Sequence, residues 1–458
     1  MIDSRNSKTY EITKERDLAF DIFSKIDKEK AYSNIVLAEI SKDETPLKDK
    51  GNRLPDDDHS QAKEGKINSP FVRNLVLGTL ENKLLLDYYI DRFLKREPKK
   101  KADDIRNILR LGLYQILFMK SGKDYAICNE MVNLSKRRFK GYERLVNGIL
   151  RNALRSKASL IPPEGLDVDA LSIRYSIDKS IITLWEESYG LEKTLKLCEN
   201  SSERAPLFAR VNTNLADADR AIDILRSQGV RASKVIESDR AILINSSDQA
   251  KAIGSEAFND GHISFQDLSS IIAVDKLGVK SDDCILDMCS APGGKSVSAA
   301  EIADKGRIIA WDIYPHKIDL IKKYAKRCGL SNIQADLNSA LEYREDYNKC
   351  FDKIILDPPC SGLGVMRRRP EIRYKSMDDF ELSDQQFSML KLAARYLKPG
   401  GSVLYSTCTV NPNENDRLIK KFLGDGYSQE FDIMYERQIF TGEFGADGFY
   451  ICILKKRG

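Results

Sequence analysis

Asp287-Met288-Cys289-Ser290-Ala291-Pro292-Gly293-Gly294-Lys295-Ser296 decides the fold of the C-terminal part of the chain. It closes the short apolar run Cys284 to Met288 and opens a stretch, Lys295 to Ile302, with helical spacing, so it reads as strand, glycine-bearing turn and helix. Outward from it the alternation repeats: apolar strands at Arg307 to Trp311, Phe351 to Leu356 and Ser402 to Ser406, helices at His316 to Cys328 and Ser383 to Leu397. Strands that alternate with helices predict a doubly wound, Rossmann-like α/β domain over 271–458, with right-handed connections.

In such a sheet ligands bind beyond the carboxyl ends of the strands. Gly294-Lys295-Ser296 invites a phosphate-binding-loop reading, but that motif needs glycine at position 289, where the chain has Cys289. Glycines in the turn let a ligand approach the backbone, and Asp312, at the end of the second strand, can accept bonds from ribose hydroxyls. A nucleoside-bearing cofactor fits this pair; a structural turn beside a surface Asp is the plainer alternative.

Two further strand ends carry thiols. Leu356-Asp357-Pro358-Pro359-Cys360-Ser361-Gly362 places Cys360 where Asp-Pro-Pro motifs of amino-group methyltransferases have an aromatic residue, and Ser406-Thr407-Cys408-Thr409 ends the next strand. One cysteine at a strand end is most often a small buried hydrophobe. Two of them, on adjacent predicted strands at the ligand-binding edge, point to thiol chemistry. The C5 carbon of a pyrimidine is a poor nucleophile until a thiolate adds at C6 and makes the ring an enamine, after which C5 can take a sulfonium methyl group. Asp357 could stabilise charge on the adduct. The base must first leave its stack, and Arg367, Arg368 and Arg369, with Arg373 and Lys375, could hold flanking phosphates.

The 458 residues suggest roughly three domains. With 73 Lys plus Arg against 69 Asp plus Glu, 42% hydrophobic residues and a mean hydropathy of -0.41, the chain reads as globular and water-soluble. No apolar run has membrane-spanning length, and Met1 to Arg16 is too charged for a signal peptide, so a cytoplasmic, non-membrane protein is expected. Nine cysteines without metal-ligand spacing are expected to be reduced, and three histidines argue against a His-based triad or a metal site.

The net charge of +4 conceals a cluster, because Glu81 to Ala158 alone carries an excess of ten positive charges. Ile105, Ile108, Leu109, Leu111, Leu113, Ile116 and Leu117 recur at helical spacing, with Arg106 and Arg110 read as a basic face. Tyr142 to Leu154 repeats the pattern, with Arg144, Arg151 and Arg155 outward. Together with Lys99 to Lys101 and Lys136-Arg137-Arg138, these faces suggest phosphate binding over a merely solvated surface. A first helix is expected over about Arg16 to Glu39, then a flexible loop at 41–69. Ile161-Pro162-Pro163 marks the end of an all-α domain over 1–160. A small α+β segment over 161–270 has no function legible from periodicity.

At the three motif segments, Leu286 to Lys295, Asp357 to Gly362 and Ser406 to Thr409, the sequence resembles the RNA 5-methylcytosine methyltransferases of the Nol1/Nop2/Sun family. The N-terminal part resembles a NusB-type helical RNA-binding domain through Phe71 to Leu80, Ile108 to Gln115 and Val146 to Asn152. This layout is that of bacterial enzymes that methylate a cytosine of 16S ribosomal RNA, free or in a small-subunit precursor. The resemblance implies that Cys408 is the nucleophile, that Cys360 assists product release, and that S-adenosylmethionine lies on Cys289, Ser290, Ala291, Pro292, Gly293, Gly294 and Lys295. It also implies that Asp312 holds the ribose, Asp336 lies beside the adenine, and Asp357 reaches cofactor and base. A monomer without a metal is expected. DNA cytosine-5 enzymes put the attacking thiol in a Pro-Cys segment, so the opposite assignment of the two cysteines is the serious rival. A non-catalytic RNA binder is the rival of another class.

Overall fold

The computed structural model describes residues 13–29, 33, 36–37, 68–119, 123–377 and 382–458, in two compact units. The first comprises Met1–Thr183 together with Arg369–Ser376. Its helices are α1 (Lys14–Glu29), α2 (Ser69–Glu81), α3 (Lys83–Asp91), α4 (Ala102–Leu117), α5 (Asp124–Arg138), α6 (Glu143–Arg155) and α7 (Val168–Tyr175). Sequence signals set these ends locally: Asn68 Oδ1 accepts from the Phe71 amide at 3.1 Å, with Pro70 in the first turn of α2. Gly78 lets α2 touch α4, since a Cβ there would lie 1.9 Å from the Tyr114 hydroxyl. Ile105, Ile108, Leu109, Leu111, Val146, Ile149 and Leu150 fill the core as their spacing predicts.

Two expectations change in this unit, and a third lies largely outside the described residues. The first helix is described only to Glu29, and the loop expected over 41–69 lies outside the described residues except for its last two. The helical unit continues past the prolines to Thr183, because Ile173 of α7 packs on its core and Ser176 Oγ accepts from the Leu85 amide at 3.1 Å. It also incorporates Arg369–Ser376: Ser33 Oγ donates to Glu371 at 2.7 Å, and the Tyr374 hydroxyl accepts from the Lys83 amide at 3.2 Å.

The second unit, Leu184–Arg368 with Met377–Gly458, holds two sheets. The smaller contains β1 (Leu207–Val211), β2 (Ala232–Val235), β3 (Ser238–Ile244) and β4 (Ile263–Phe265) in the order β2-β3-β1-β4, all antiparallel, with α8 (Ala218–Ser227) on its core. The larger contains β5 (Cys284–Asp287), β6 (Arg307–Asp312), β7 (Ile333–Leu337), β8 (Phe351–Leu356), β9 (Leu397–Thr407), β10 (Phe431–Ile439) and β11 (Phe449–Lys456), in the order β10-β11-β9-β8-β5-β6-β7. The strands from β9 to β7 pair in parallel and β11 and β10 pair antiparallel. The chain runs from β5 outward through β6 and β7 and returns as β8 on the other side of β5. This reversal opens a crevice at the carboxyl ends of β5 and β8.

A buried guanidinium joins the two sheets. Arg210 of β1 is fully buried; its Nε and Nη2 each donate to Glu301 at 2.8 Å, and Nη1 donates to the Gly294 carbonyl at 3.0 Å. Glu301 and Gly294 both lie on α9 (Gly294–Ile302), the helix that follows the glycine turn. The smaller sheet thus holds the helix that opens the binding crevice.

Candidate active site

β8 and β9 are neighbours in the sheet, so residues that follow their ends come together. Cys360 and Cys408 meet with their sulfurs 3.3 Å apart, both half-buried. The contact with Cys408 is the largest influence that raises the Cys360 thiol well above its ordinary value, followed by burial.

Asp357 directly follows β8, three residues before Cys360. Its Oδ2 accepts from Lys295 Nζ at 2.6 Å and its Oδ1 accepts from Ser406 Oγ at 3.0 Å. Burial alone would discharge Lys295, but the charge and hydrogen bond of Asp357, then Asp287 and Cys408, outweigh it and hold the ammonium above its ordinary range. The ammonium also lies 5.0 Å from the Phe449 ring centroid. Asp287 at the end of β5 is fully buried and pushed up to about 7 by that burial; Ser296 Oγ donates to it at 2.5 Å.

A cavity of about 190 Å³ adjoins this group, lined among others by Met288, Cys289, Asp312, Tyr314, Ser339 and Pro359. Asp312 is buried, accepts from the Tyr314 amide at 3.1 Å and has Lys317 Nζ 3.7 Å away. Of the turn residues assigned to the cofactor, Cys289 lines the cavity. Ser290 instead donates through its amide and hydroxyl to the Trp311 carbonyl, at 2.8 and 2.9 Å. Ala291 packs on Ile318 and Ile321, and Gly293 takes a φ of +107°, where a side chain would be strained, to start α9 behind Pro292. Lys295 points to Asp357 and the thiols. Asp336 is outside the lining, to which Ser339, Ala340 and Leu341 contribute; its carboxylate accepts from Gln334 Nε2 at 2.9 Å. Ile313, Tyr314 and Lys317, missed in the sequence, follow the end of β6 directly, and that adjacency was their available signal.

The lining combines the Asp312 carboxylate with an apolar cleft between Met288 and Met389, and includes Pro359, the residue before Cys360. Among the described residues, no group of three or more His, Cys, Asp or Glu is placed to hold a metal ion.

The expected phosphate contacts are corrected. Arg367 is buried and donates to Asp447 at 2.6 Å and to the Gly445 carbonyl at 2.6 Å, while Arg368 pairs with Asp447 and with Asp267 at 3.1 Å. Buried Asp447 requires these cations. Arg110 is buried, bound to Asp87 at 2.8 and 2.7 Å and to Asn107; Arg106 pairs with Asp87, Asp91 and Glu97. Arg137 and Arg138 pair with Asp17, and Arg138 also with Asp21 at 2.7 Å. Carboxylates of α1, far off in sequence, neutralise part of the basic cluster. Lys136 stands with these two arginines in the last turn of α5, and Arg369 belongs to the helical unit. Arg144, Arg151 and Arg155 of α6 are exposed, and among the described residues no carboxylate pairs with them.

Family models match three successive segments: the NusB family over residues 13–155, a ferredoxin-like domain of RsmF/B-like methyltransferases over 179–250, and 16S rRNA methyltransferase RsmB/F over 274–455. The probable ribosomal RNA small subunit methyltransferase B of Bacillus subtilis is 33% identical over 97% of this chain and 99% of its own. The ribosomal RNA small subunit methyltransferase B of Proteus mirabilis is 27% identical, over 84% and 90%. Among solved structures, PH0851 superposes with a TM-score of 0.74 at 23% identity, over 97% of this chain and 99% of that one. NSun6 from Pyrococcus horikoshii, solved with SFG, gives 0.55 at 19% identity, over 61% and 98%.

Proposed function

The chain belongs to the ribosomal RNA small subunit methyltransferase B family, and from that premise we propose that it methylates C5 of a cytosine in 16S ribosomal RNA through a covalent bond between Cys408 and C6 of the base. That it is an S-adenosylmethionine-dependent ribosomal RNA methyltransferase follows from the membership itself. The finer reading is carried by the two sulfurs 3.3 Å apart, with the Lys295–Asp357 pair beside them.

S-adenosylmethionine would be held by Asp312, Cys289 and the apolar wall of Met288 and Met389, and would supply an electrophilic methyl group. The protein's part begins with Cys408, which gives up its proton to water and forms the S–C6 bond as the C5–C6 double bond of the base opens. Lys295 and Asp357 are assigned to the charge that builds on the ring: the ammonium would stabilise it, and the carboxylate keeps the ammonium charged. Once C5 carries the methyl group, its proton passes to water and the S–C6 bond breaks, which restores the C5–C6 double bond and the aromatic ring. Cys360, its sulfur 3.3 Å from that of Cys408, is assigned to assist release of the product as that bond breaks.

The exposed face of α6, with Lys136 and Arg369, is assigned to RNA phosphates. No helix among the described residues is long and apolar enough to cross a membrane. We place the enzyme in the cytoplasm as a monomer acting on 16S RNA or its small-subunit precursor.

The test is incubation with labelled S-adenosylmethionine and unmodified 16S RNA. Label appears on cytosine C5, Cys408→Ser abolishes it, and Cys360→Ala accumulates a protein–RNA species that survives a denaturing gel. Full activity of Cys408→Ser would end the proposal; a trap formed only by Cys408→Ala would exchange the roles of the two sulfurs.

A further inference from the structure

We propose that Glu414 is a positioning residue that keeps the remaining proton of the thiol pair on Cys360 and so leaves Cys408 to attack; this rests on the two-thiol reading of the site. Glu414 is completely buried in the segment after β9. Its Oε2 accepts from the Ser361 amide at 2.9 Å and from Gln386 Nε2 at 2.8 Å, and its Oε1 accepts from Asn411 Nδ2 at 2.8 Å. All three partners are donors, which suits an acceptor-only carboxylate; a protonated carboxyl would face them with a donor of its own. Among the described residues no cation lies within ion-pair distance of it, so its negative charge acts on its surroundings uncompensated by a salt bridge.

Ser361 follows Cys360 directly, and Asn411 lies three residues after Cys408. One carboxylate therefore ties both thiol-bearing segments. The tie is reinforced by the Ser361 and Thr409 hydroxyls, 2.7 Å apart, and by Gln386 Nε2, which also reaches the Pro359 carbonyl at 2.8 Å. The Tyr405 hydroxyl donates to the Glu414 carbonyl at 2.7 Å and closes the cluster.

The charges around the sulfurs are unequal. Lys295 feels the charge of Cys408 among the influences that raise it, whereas Cys360 is raised by its contact with Cys408, by burial, and then by the charges of Cys408, Glu414 and Asp357. The groups that face the pair are thus the Lys295 ammonium, the Asp357 and Glu414 carboxylates and the neutral Tyr405 phenol. When one proton leaves the pair for water, the other can sit on either sulfur. Glu414, which accepts from the amide of the residue after Cys360, disfavours a thiolate on Cys360.

The experiment is alkylation of the full-length protein by iodoacetamide over a range of pH, with each cysteine followed by peptide mass mapping, because iodoacetamide reports the thiolate. In the unaltered protein Cys408 is modified faster than Cys360. Glu414→Gln, which keeps the shape and removes the charge, narrows that ratio by about tenfold, the equivalent of one pKa unit. Gln386→Ala loosens the same cluster but keeps the charge, and leaves Cys408 preferred. Faster modification of Cys360 in the unaltered protein, an unchanged ratio in Glu414→Gln, or a reversal in Gln386→Ala would each overturn the assignment. If Glu414→Gln does not fold, the other two proteins still decide. No RNA is present, so failure here is distinct from failure of the methylation reading, which shows as missing C5 label whichever sulfur reacts first.

Discussion

Replacing Arg210 by methionine tests whether the smaller sheet governs the cofactor crevice. The substitution keeps much of the apolar stem but removes four hydrogen bonds, two to Glu301 at 2.8 Å, one to the Gly294 carbonyl at 3.0 Å and one to Gln266 Oε1. Both side chains of the pair are fully buried, so Glu301 would keep a charge out of reach of water. Removal of one partner of such a pair costs about 3–5 kcal/mol. Arg240 Nη2, 3.1 Å from Glu301, supplies partial compensation, which places the loss near the lower end, about 3 kcal/mol. In a unit of this size that lowers the melting temperature by roughly 6–12 °C. The double variant Arg210→Met with Glu301→Met removes both charges and should recover at least half of the loss. Thermal unfolding of the single and double variants measures both numbers, and calorimetry with S-adenosylmethionine should show weaker binding in Arg210→Met because the start of α9 is released. A loss under about 1 kcal/mol, or a double variant less stable than the single one, would refute the reasoning.

The pH dependence of stability should carry a signature of Asp287, whose folded value of about 7 lies above that of a free carboxyl. Its neutral form supports folding fully below about pH 4, and this contribution declines as pH rises and is gone above about pH 7, at up to about 1.4 kcal/mol per pH unit. Urea unfolding of Asp287→Asn at several pH values should lack that slope; equal slopes in both proteins would contradict it. Lys295→Met should reduce kcat by about 10²–10³ and leave RNA affinity nearly unchanged, as expected for a charge that acts in the transition state; single-turnover rates and filter binding separate the two. Arg144, Arg151 and Arg155 together replaced by Gln should weaken RNA binding and flatten its dependence on salt, by roughly one unit of log–log slope for each phosphate no longer neutralised. Titration at several salt concentrations checks this, and an unchanged slope would move the RNA surface elsewhere.

The strand ends were legible because each announces itself locally: an apolar run, then a turn residue or a proline, then a polar or sulfur side chain. Reading Cys360 and Cys408 on adjacent strands required only that β8 and β9 be neighbours, and they are. The outer strands were less legible. β7 lies at one edge of the sheet and β10 at the other, and β10 exposes Asp432, Ile433 and Met434, so neither presents the continuous apolar run that marks a strand buried on both faces. Arg110 and Arg367 failed as surface residues for a long-range reason. Periodicity places a side chain on a face of its own helix or loop, but whether that face meets water or a carboxylate such as Asp27 or Asp447 depends on elements some eighty residues away. Glu414 was invisible for the same reason, since its meaning lies in the Ser361 amide, 53 residues earlier.

The helical unit is discontinuous along the chain: Arg369–Ser376 completes it after most of the catalytic unit has already been translated. During synthesis the N-terminal helices emerge first, yet the partner of Ser33 and the phenol that caps Lys83 arrive only with Glu371 and Tyr374. A nascent or truncated chain ending near residue 183 is therefore an unfinished body. A protease added to stalled ribosomes should find it easier to cut than the same helices in the released, full-length polypeptide.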